Sequence, residues 1–149
     1  MIFFSSLPKI QIIFKQTRIG QKKKEFTIYK FKTMEYNKIT FIGKYLRKTG
    51  LDEIPQLINI IKNDMSFVGP RPLTKFDIDR LNWNSSECAE RWNVKPGITG
   101  LAQLSDICNA NLSLQNDLNY VKNKNIALDI KILFQSILIP IFGKRKIKS

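Results

Sequence analysis

The chain has 149 residues, 43% of them hydrophobic, so it is long enough for one core and too apolar for a disordered polycation. Its 25 Lys and Arg against 12 Asp and Glu give a formal charge of +13, a field that attracts nucleic acid, anionic lipid head groups or phosphorylated small molecules. There is no histidine, which removes the commonest general base and zinc ligand and leaves acid–base work to Asp, Glu, Lys, Tyr or Cys.

The opening MIFFSSLPKIQIIF is apolar, with Phe3 and Phe4 suited to a core or to an interface. IQIIFKQTRIG and EFTIYKFKTM then read as two strands of a hairpin, with Gly20 as the turn signal and Lys22, Lys23 and Lys24 at a basic tip. In the second strand Phe26, Ile28 and Phe31 alternate with one slip of register. A helix is predicted from Thr40 to Lys48, with Phe41, Tyr45 and Leu46 on one face and Gly50 just past its end as a C-terminal cap. A second helix runs from Leu57 to about Lys62, Asn63-Asp64 starts a turn, and SFVGPRPL is an extended loop stiffened by its prolines. A polar helix is predicted from Thr74 to about Trp92, VKPGITGLAQL as loop and strand, and helices over Asp117 to Lys122 and Asp129 to Ile139. The closing ILFQSILIPIFGKRKIKS is an apolar run broken by Pro140 and followed by cations. It reads equally as an interfacial segment or as a core helix with a solvated tail, and no segment reaches the roughly 20 apolar residues of a spanning helix. Cys88 and Cys108 form no CxxC pair, which fits a reduced, cytosolic setting.

Three stretches carry candidate chemistry. In GLDEIPQ, Asp52 and Glu53 stand side by side, three and two residues before Pro55. The plain reading is a helix start, with Asp52 as N-cap, Glu53 favouring the dipole and Pro55 tolerated in the first turn. The same geometry also suits catalysis. A helix N-terminus keeps Asp52 ionised and attracts phosphate, an ionised carboxylate can attack phosphorus, and Glu53 can hold Mg2+. In GPRP, Arg71 is held between prolines, either as a solvated arginine on a rigid turn or as a guanidinium positioned for bidentate phosphate contact. Arg47, five residues before Asp52, reads as a solvated helix-end cation or as a second contact to the same site. The hairpin cations Arg18, Lys30 and Lys32 are unremarkable one by one.

In sequence order these pieces are KQTRIG, FTIYKFKTM, LRKTGLDEIPQLINIIKNDMSFVGPRPL, VKPGITGLAQL, DLNYVKN and ALDIKIL, and together they resemble the bacterial sugar transferase family. That family comprises monotopic polyprenyl-phosphate phosphoglycosyl transferases, and the resemblance runs from about Phe14 to about Gly143. It implies transfer of a phosphosugar from a UDP-sugar to polyprenyl phosphate with release of UMP. Asp52 is then the nucleophile, Glu53 the Mg2+ ligand, and Arg47 and Arg71 (followed by Pro72) the phosphate contacts. Gln56 and Lys30 are further candidates for the site lining. It also implies a place on the cytoplasmic face of the plasma membrane, in contact with anionic lipid and not with nucleic acid. The chain departs from the family pattern in three places. By the resemblance MIFFSSLP matches the segment that follows the family's apolar re-entrant helix, so that anchor is expected to be largely missing; the Gly-Arg pair after the AQ motif is replaced within AQLSDICNANLS, and Lys32 stands where many members carry arginine.

The expectation is therefore a small, helix-rich α+β domain with an N-terminal β-hairpin, monotopic on the membrane. Two alternatives stay open: a truncated, inactive member, and a non-enzymatic basic module that binds anionic lipid or nucleic acid.

Overall fold

The computed structural model describes residues 11–105 and 109–142, with side chains to 138. Phe3, Phe4, Cys108 and the basic tail lie outside the described residues.

The fold is a mixture of helices and short sheets. Strands β1 (Ile13–Ile19) and β2 (Glu25–Phe31) form the predicted antiparallel hairpin, in an unbroken register that pairs Phe14 with Lys30, Gln16 with Ile28 and Arg18 with Phe26. The expected slip is absent. Alternation from Phe26 through the buried Ile28 brings Lys30, not Phe31, onto the same face as Arg18. A tight 3-10 turn over Gln21–Lys23 closes the hairpin, with Lys22 and Lys23 at positive φ. A second, unpredicted hairpin follows, from β3 (Met34–Glu35) and β4 (Lys38–Ile39), turning through Tyr36 and Asn37 at positive φ.

Helix α1 (Phe41–Thr49) begins at Thr40, whose Oγ1 accepts from the Gly43 backbone N–H at 3.0 Å. It presses close to the chain before it, because a Cβ on Gly43 would stand 2.2 Å from the Thr33 carbonyl oxygen. The helix ends at Gly50, whose φ of 74° is the left-handed cap foreseen from sequence. From there Leu51–Gln56 forms a 3-10 segment that leads directly into α2 (Leu57–Ile61). Asn59, fully buried, docks this unit on the hairpin: its Nδ2 donates to the Thr27 carbonyl at 2.7 Å, and its Oδ1 accepts from the Tyr29 backbone N–H at 3.3 Å.

The stretch read as an extended loop contains strand β5 (Ser66–Val68), parallel to β6 (Gly97–Thr99) from the PGITG stretch. Their backbones nearly touch, since a Cβ on Gly97 would meet the Gly69 nitrogen at 2.1 Å. The polar helix expected from Thr74 to Trp92 is broken. Helix α3 (Lys75–Arg80) has a Thr74–Asp77 capping box, Asn82 turns at φ 55°, and Ser86–Asn93 is 3-10. Both tryptophans, undecided from sequence, are core: Trp83, Trp92 and Cys88 pack with Ile19, Leu73 and Ile78. The remaining helices are α4 (Leu101–Leu104), α5 (Ala110–Asn123) and α6 (Ile126–Phe142). The last two pack Tyr120 and Ile132 against Val68, and α6 runs on past Pro140. Among the described residues no helix is long and apolar enough to cross a membrane.

Candidate active site

Gly50 reverses the chain after α1, and the 3-10 segment lays Asp52 and Glu53 against β2. Neither carboxylate caps a helix. The N-cap of the segment is Gly50, without a side-chain bond, so the expected N-cap role of Asp52 is replaced by a place inside the segment. Both are half-buried, while Pro55 and Gln56 behind them are buried. Lys30 Nζ lies 2.5 Å from Glu53 Oε1.

Asp52 and Glu53 face a cleft of about 890 Å3, also lined by Arg47 from α1, Arg71 from the GPRP loop, and Arg18 and Lys30 from the hairpin. With Lys15 and Lys32, six cations meet three carboxylates there, Glu35 being the third. A low-dielectric wall and one dominant sign of charge make such a cleft a sink for phosphates. Arg47 is held by its Nε donating to Thr33 Oγ1 at 2.8 Å, and Lys32 pairs with Glu35 at 3.4 Å. The sequence separates Arg47, Asp52 and Arg71, and the fold brings all three to one cleft. Pro72 and Gln56 line a second, smaller recess that opens beside it.

Asp52 does not behave as a helix N-terminus would make it. Partial burial first, then the Glu53 charge, raises its pKa above the usual carboxylate value, against the opposing pull of Lys30, its backbone and Arg47. Mg2+ takes one or two carboxylates and completes its shell with water and substrate phosphates. Asp52 and Glu53, adjacent in the 3-10 segment and lining one cleft, supply that number. Among the described residues no group of three His, Cys, Asp or Glu gathers that could hold a metal ion by itself.

Two participants were hidden in the sequence. Arg18 donates from Nη1 to the Pro72 carbonyl at 3.1 Å and from Nη2 to Gln16 Oε1 at 2.6 Å, which joins the hairpin to the GPRP loop. The Ile19–Leu73 backbone bridge, 2.8 Å, holds the same junction. Burial chiefly, and then Arg71, lowers the Arg18 pKa, as expected where two guanidinium groups share a site meant for an anion. Strand alternation, which places Arg18 and Lys30 on one face, was the available signal. Arg91 left none. It is buried between Trp83 and Trp92, 5.2 and 4.8 Å from their ring centres. There its Nε donates to buried Asp117 at 2.8 Å, and its Nη2 donates to the carbonyl of Arg71.

Paired carboxylates under converging guanidinium and ammonium groups define a class of site, one built for phosphoryl groups. The whole-chain comparison narrows it: residues 1–143 match the bacterial sugar transferase family model, and the chain belongs to that family. It is 33% identical over 155 residues to the UDP-N-acetylgalactosamine-undecaprenyl-phosphate N-acetylgalactosaminephosphotransferase of Aeromonas hydrophila, covering 90% of this chain and 37% of that protein. Identity is 40% over 136 residues to the uncharacterized sugar transferase EpsL of Bacillus subtilis, covering 82% of this chain and 66% of that one. It is 35% over 147 residues to the UDP-glucose:undecaprenyl-phosphate glucose-1-phosphate transferase of Escherichia coli, covering 85% and 32%. The chain thus spans from 32% to 66% of the length of these relatives.

Proposed function

We propose that the protein transfers a phosphosugar from a UDP-sugar to a polyprenyl phosphate. The reading is carried by one observation: the Asp52–Glu53 pair shares a single cleft with Arg18, Lys30, Arg47 and Arg71. Family membership and the activities for which two relatives are named support it.

In this mechanism a carboxylate oxygen of Asp52 attacks the β-phosphorus of the UDP-sugar. The bond from that phosphorus to the bridging oxygen breaks, and its electron pair leaves with UMP. The leaving phosphate needs no proton, so the lack of histidine is no obstacle. An oxygen of polyprenyl phosphate then attacks the aspartyl phosphosugar and returns Asp52 as a carboxylate, so donor and acceptor use one site in turn. Arg47 and Arg71 hold the diphosphate oxygens, and Lys30 fixes Glu53. Glu53, with Asp52 beside it, would hold Mg2+, which screens carboxylate from phosphate charge.

The acceptor is a lipid, and the surface next to the site suits one. Phe41 and Ile42 of α1, Ile54 of the 3-10 segment and Ile58 and Ile61 of α2 are exposed, Ile61 by 85%. Lys44 and Lys48 of α1 and Lys62, just past the end of α2, are exposed beside them. Apolar side chains among lysines match an anionic bilayer surface, which makes the protein a peripheral or monotopic one. Ile42→Glu with Ile61→Glu is expected to cut co-sedimentation with phosphatidylglycerol vesicles by about tenfold or more. Unchanged co-sedimentation would remove this docking face.

The reaction itself is tested by intact mass after incubation with a panel of UDP-sugars, Mg2+ and no acceptor. A phosphosugar adduct that forms with Mg2+ and is absent with chelator is the expected result. No adduct from any donor, in protein that binds vesicles and is folded, supports the inactive-member alternative instead.

A further inference from the structure

Beside the main cleft, and sharing Arg18, Lys30, Glu53 and Arg71 with it, lies the smaller recess, of about 220 Å3. Ile28, Gln56, Pro72, Gly97, Ile98 and Gln103 complete its walls. Two polar atoms of its lining residues are buried and have no hydrogen-bond partner among the described residues: Arg18 Nε and Gln103 Oε1. Buried polar groups are nearly always paired, so an orphan at the edge of a site points to a partner that arrives with the ligand.

The two orphans have opposite sense. The guanidinium N–H needs an acceptor, which a phosphoryl oxygen provides. The carboxamide oxygen needs a donor, which an ionised phosphate lacks. A ligand that answers both must carry a hydroxyl or an N–H close to a phosphate. In a UDP-sugar the hexose meets that demand, being joined to the attacked phosphorus through one oxygen. The uracil N–H lies beyond the ribose and the second phosphate, too far for a recess that opens directly on Glu53 and Lys30.

Gln103 is also held ready. It lies on α4 with its backbone N–H on the Gly100 carbonyl at 3.1 Å. A Cβ at Gly100 would stand 2.8 Å from Gln103 Oε1 and 2.2 Å from the Gly69 carbonyl oxygen. The carboxamide oxygen therefore rests over bare glycine backbone, at the crossing that carries the GPRP loop. A side chain enclosed in this way loses little freedom on binding.

We propose that this recess holds the sugar of the donor, and that Gln103 Oε1 accepts a hydrogen bond from a hydroxyl or acetamido N–H of that ring. This rests on the phosphosugar-transfer reading above. It makes Gln103 a sugar-binding residue that tells one UDP-sugar from another.

The test compares wild type with Gln103→Leu, which keeps the approximate shape and removes the acceptor. With the UDP-sugar that wild type uses best, kcat/KM for adduct formation is expected to fall about three- to tenfold, the range of one lost hydrogen bond. Affinity for UMP, which has no hexose, is expected to stay within about twofold. Equal losses for UMP and UDP-sugar overturn the assignment in favour of a nucleotide contact or a structural role, and no loss in either overturns it outright. If Gln103→Leu does not fold, wild type with singly deoxygenated or deacetylated UDP-sugars decides. Loss confined to one ring position upholds the assignment, and indifference to every position overturns it. Wild type that forms no adduct with any UDP-sugar removes the transfer reading itself, whereas wild type that works and is matched by Gln103→Leu removes only the sugar assignment.

Discussion

Asp52→Asn is expected to abolish the phosphosugar adduct and UMP release, by at least about 10³-fold, because the amide has no charge to bring to phosphorus and cannot turn over. The same variant is expected to fold at least as well as wild type. The sign comes from the raised pKa of Asp52. Folded protein binds the proton more tightly than unfolded chain, whose aspartates titrate near about 3.9. The stability this brings is complete below the unfolded value and is lost as pH rises through the folded one. At neutral pH the ionised side chain therefore opposes folding through burial and Glu53, and asparagine relieves both. Melting in the presence of chelator checks this: a Tm for Asp52→Asn equal to or above wild type is expected, with the gap closing as pH falls. A much lower Tm would mean that the carboxylate has a structural role, and loss of adduct would then say nothing of a nucleophile. A basic binding module, by contrast, would keep its anion affinity or gain some when Asp52 is neutralised.

The second large effect concerns Arg91, far from the reacting atoms. Arg91→Met leaves Asp117 buried without its cation, a change of roughly 3–5 kcal/mol. For a chain of this size that corresponds to a Tm lower by roughly 10 °C. Burial already raises the Asp117 pKa and lowers that of Arg91, so each depends on the other for its charge. Arg91→Met with Asp117→Leu is expected to recover most of the Tm, since a well-packed apolar pair often matches a buried ion pair. It is not expected to recover activity. The Arg91 guanidinium also holds the carbonyl of Arg71, and without it the GPRP loop loses the anchor that aims Arg71 at the cleft. KM for the UDP-sugar should therefore stay high in the double variant after stability has returned. Full recovery of both would show that Arg91 serves the core alone.

These two residues mark how far the sequence could be read. Asp52 was visible because its neighbours are local: Gly50 ends a helix, Glu53 lies beside it and Pro55 stiffens the turn into α2. Arg71 was visible for the same reason, held between prolines. The structure corrected their setting without moving them. The segment is 3-10 and Asp52 caps nothing, so the carboxylate is held above its usual pKa rather than kept ionised by a dipole. Arg91, within a stretch read as one polar helix, gave no sign of its role, because the Asn82 turn and the tryptophans that enclose it depend on packing from distant parts of the chain.

What the residues alone determined was a set of short-range features: the first hairpin and its turn, the helix that starts at Thr40 and ends at Gly50, the paired carboxylates, the rigid arginine loop, and the surplus of cations that calls for a phosphate. Only the folded chain decided which of those cations face the carboxylates, that Arg18 joins the hairpin to the GPRP loop, and that Gln103 lines the recess beside the same site. The reason is that these contacts join residues dozens of positions apart. The parallel pairing of β5 with β6, the close glycine crossing at Gly69 and Gly97, and the burial of Asn59 set their relative places, and none of these leaves a periodic or local trace in the order of amino acids.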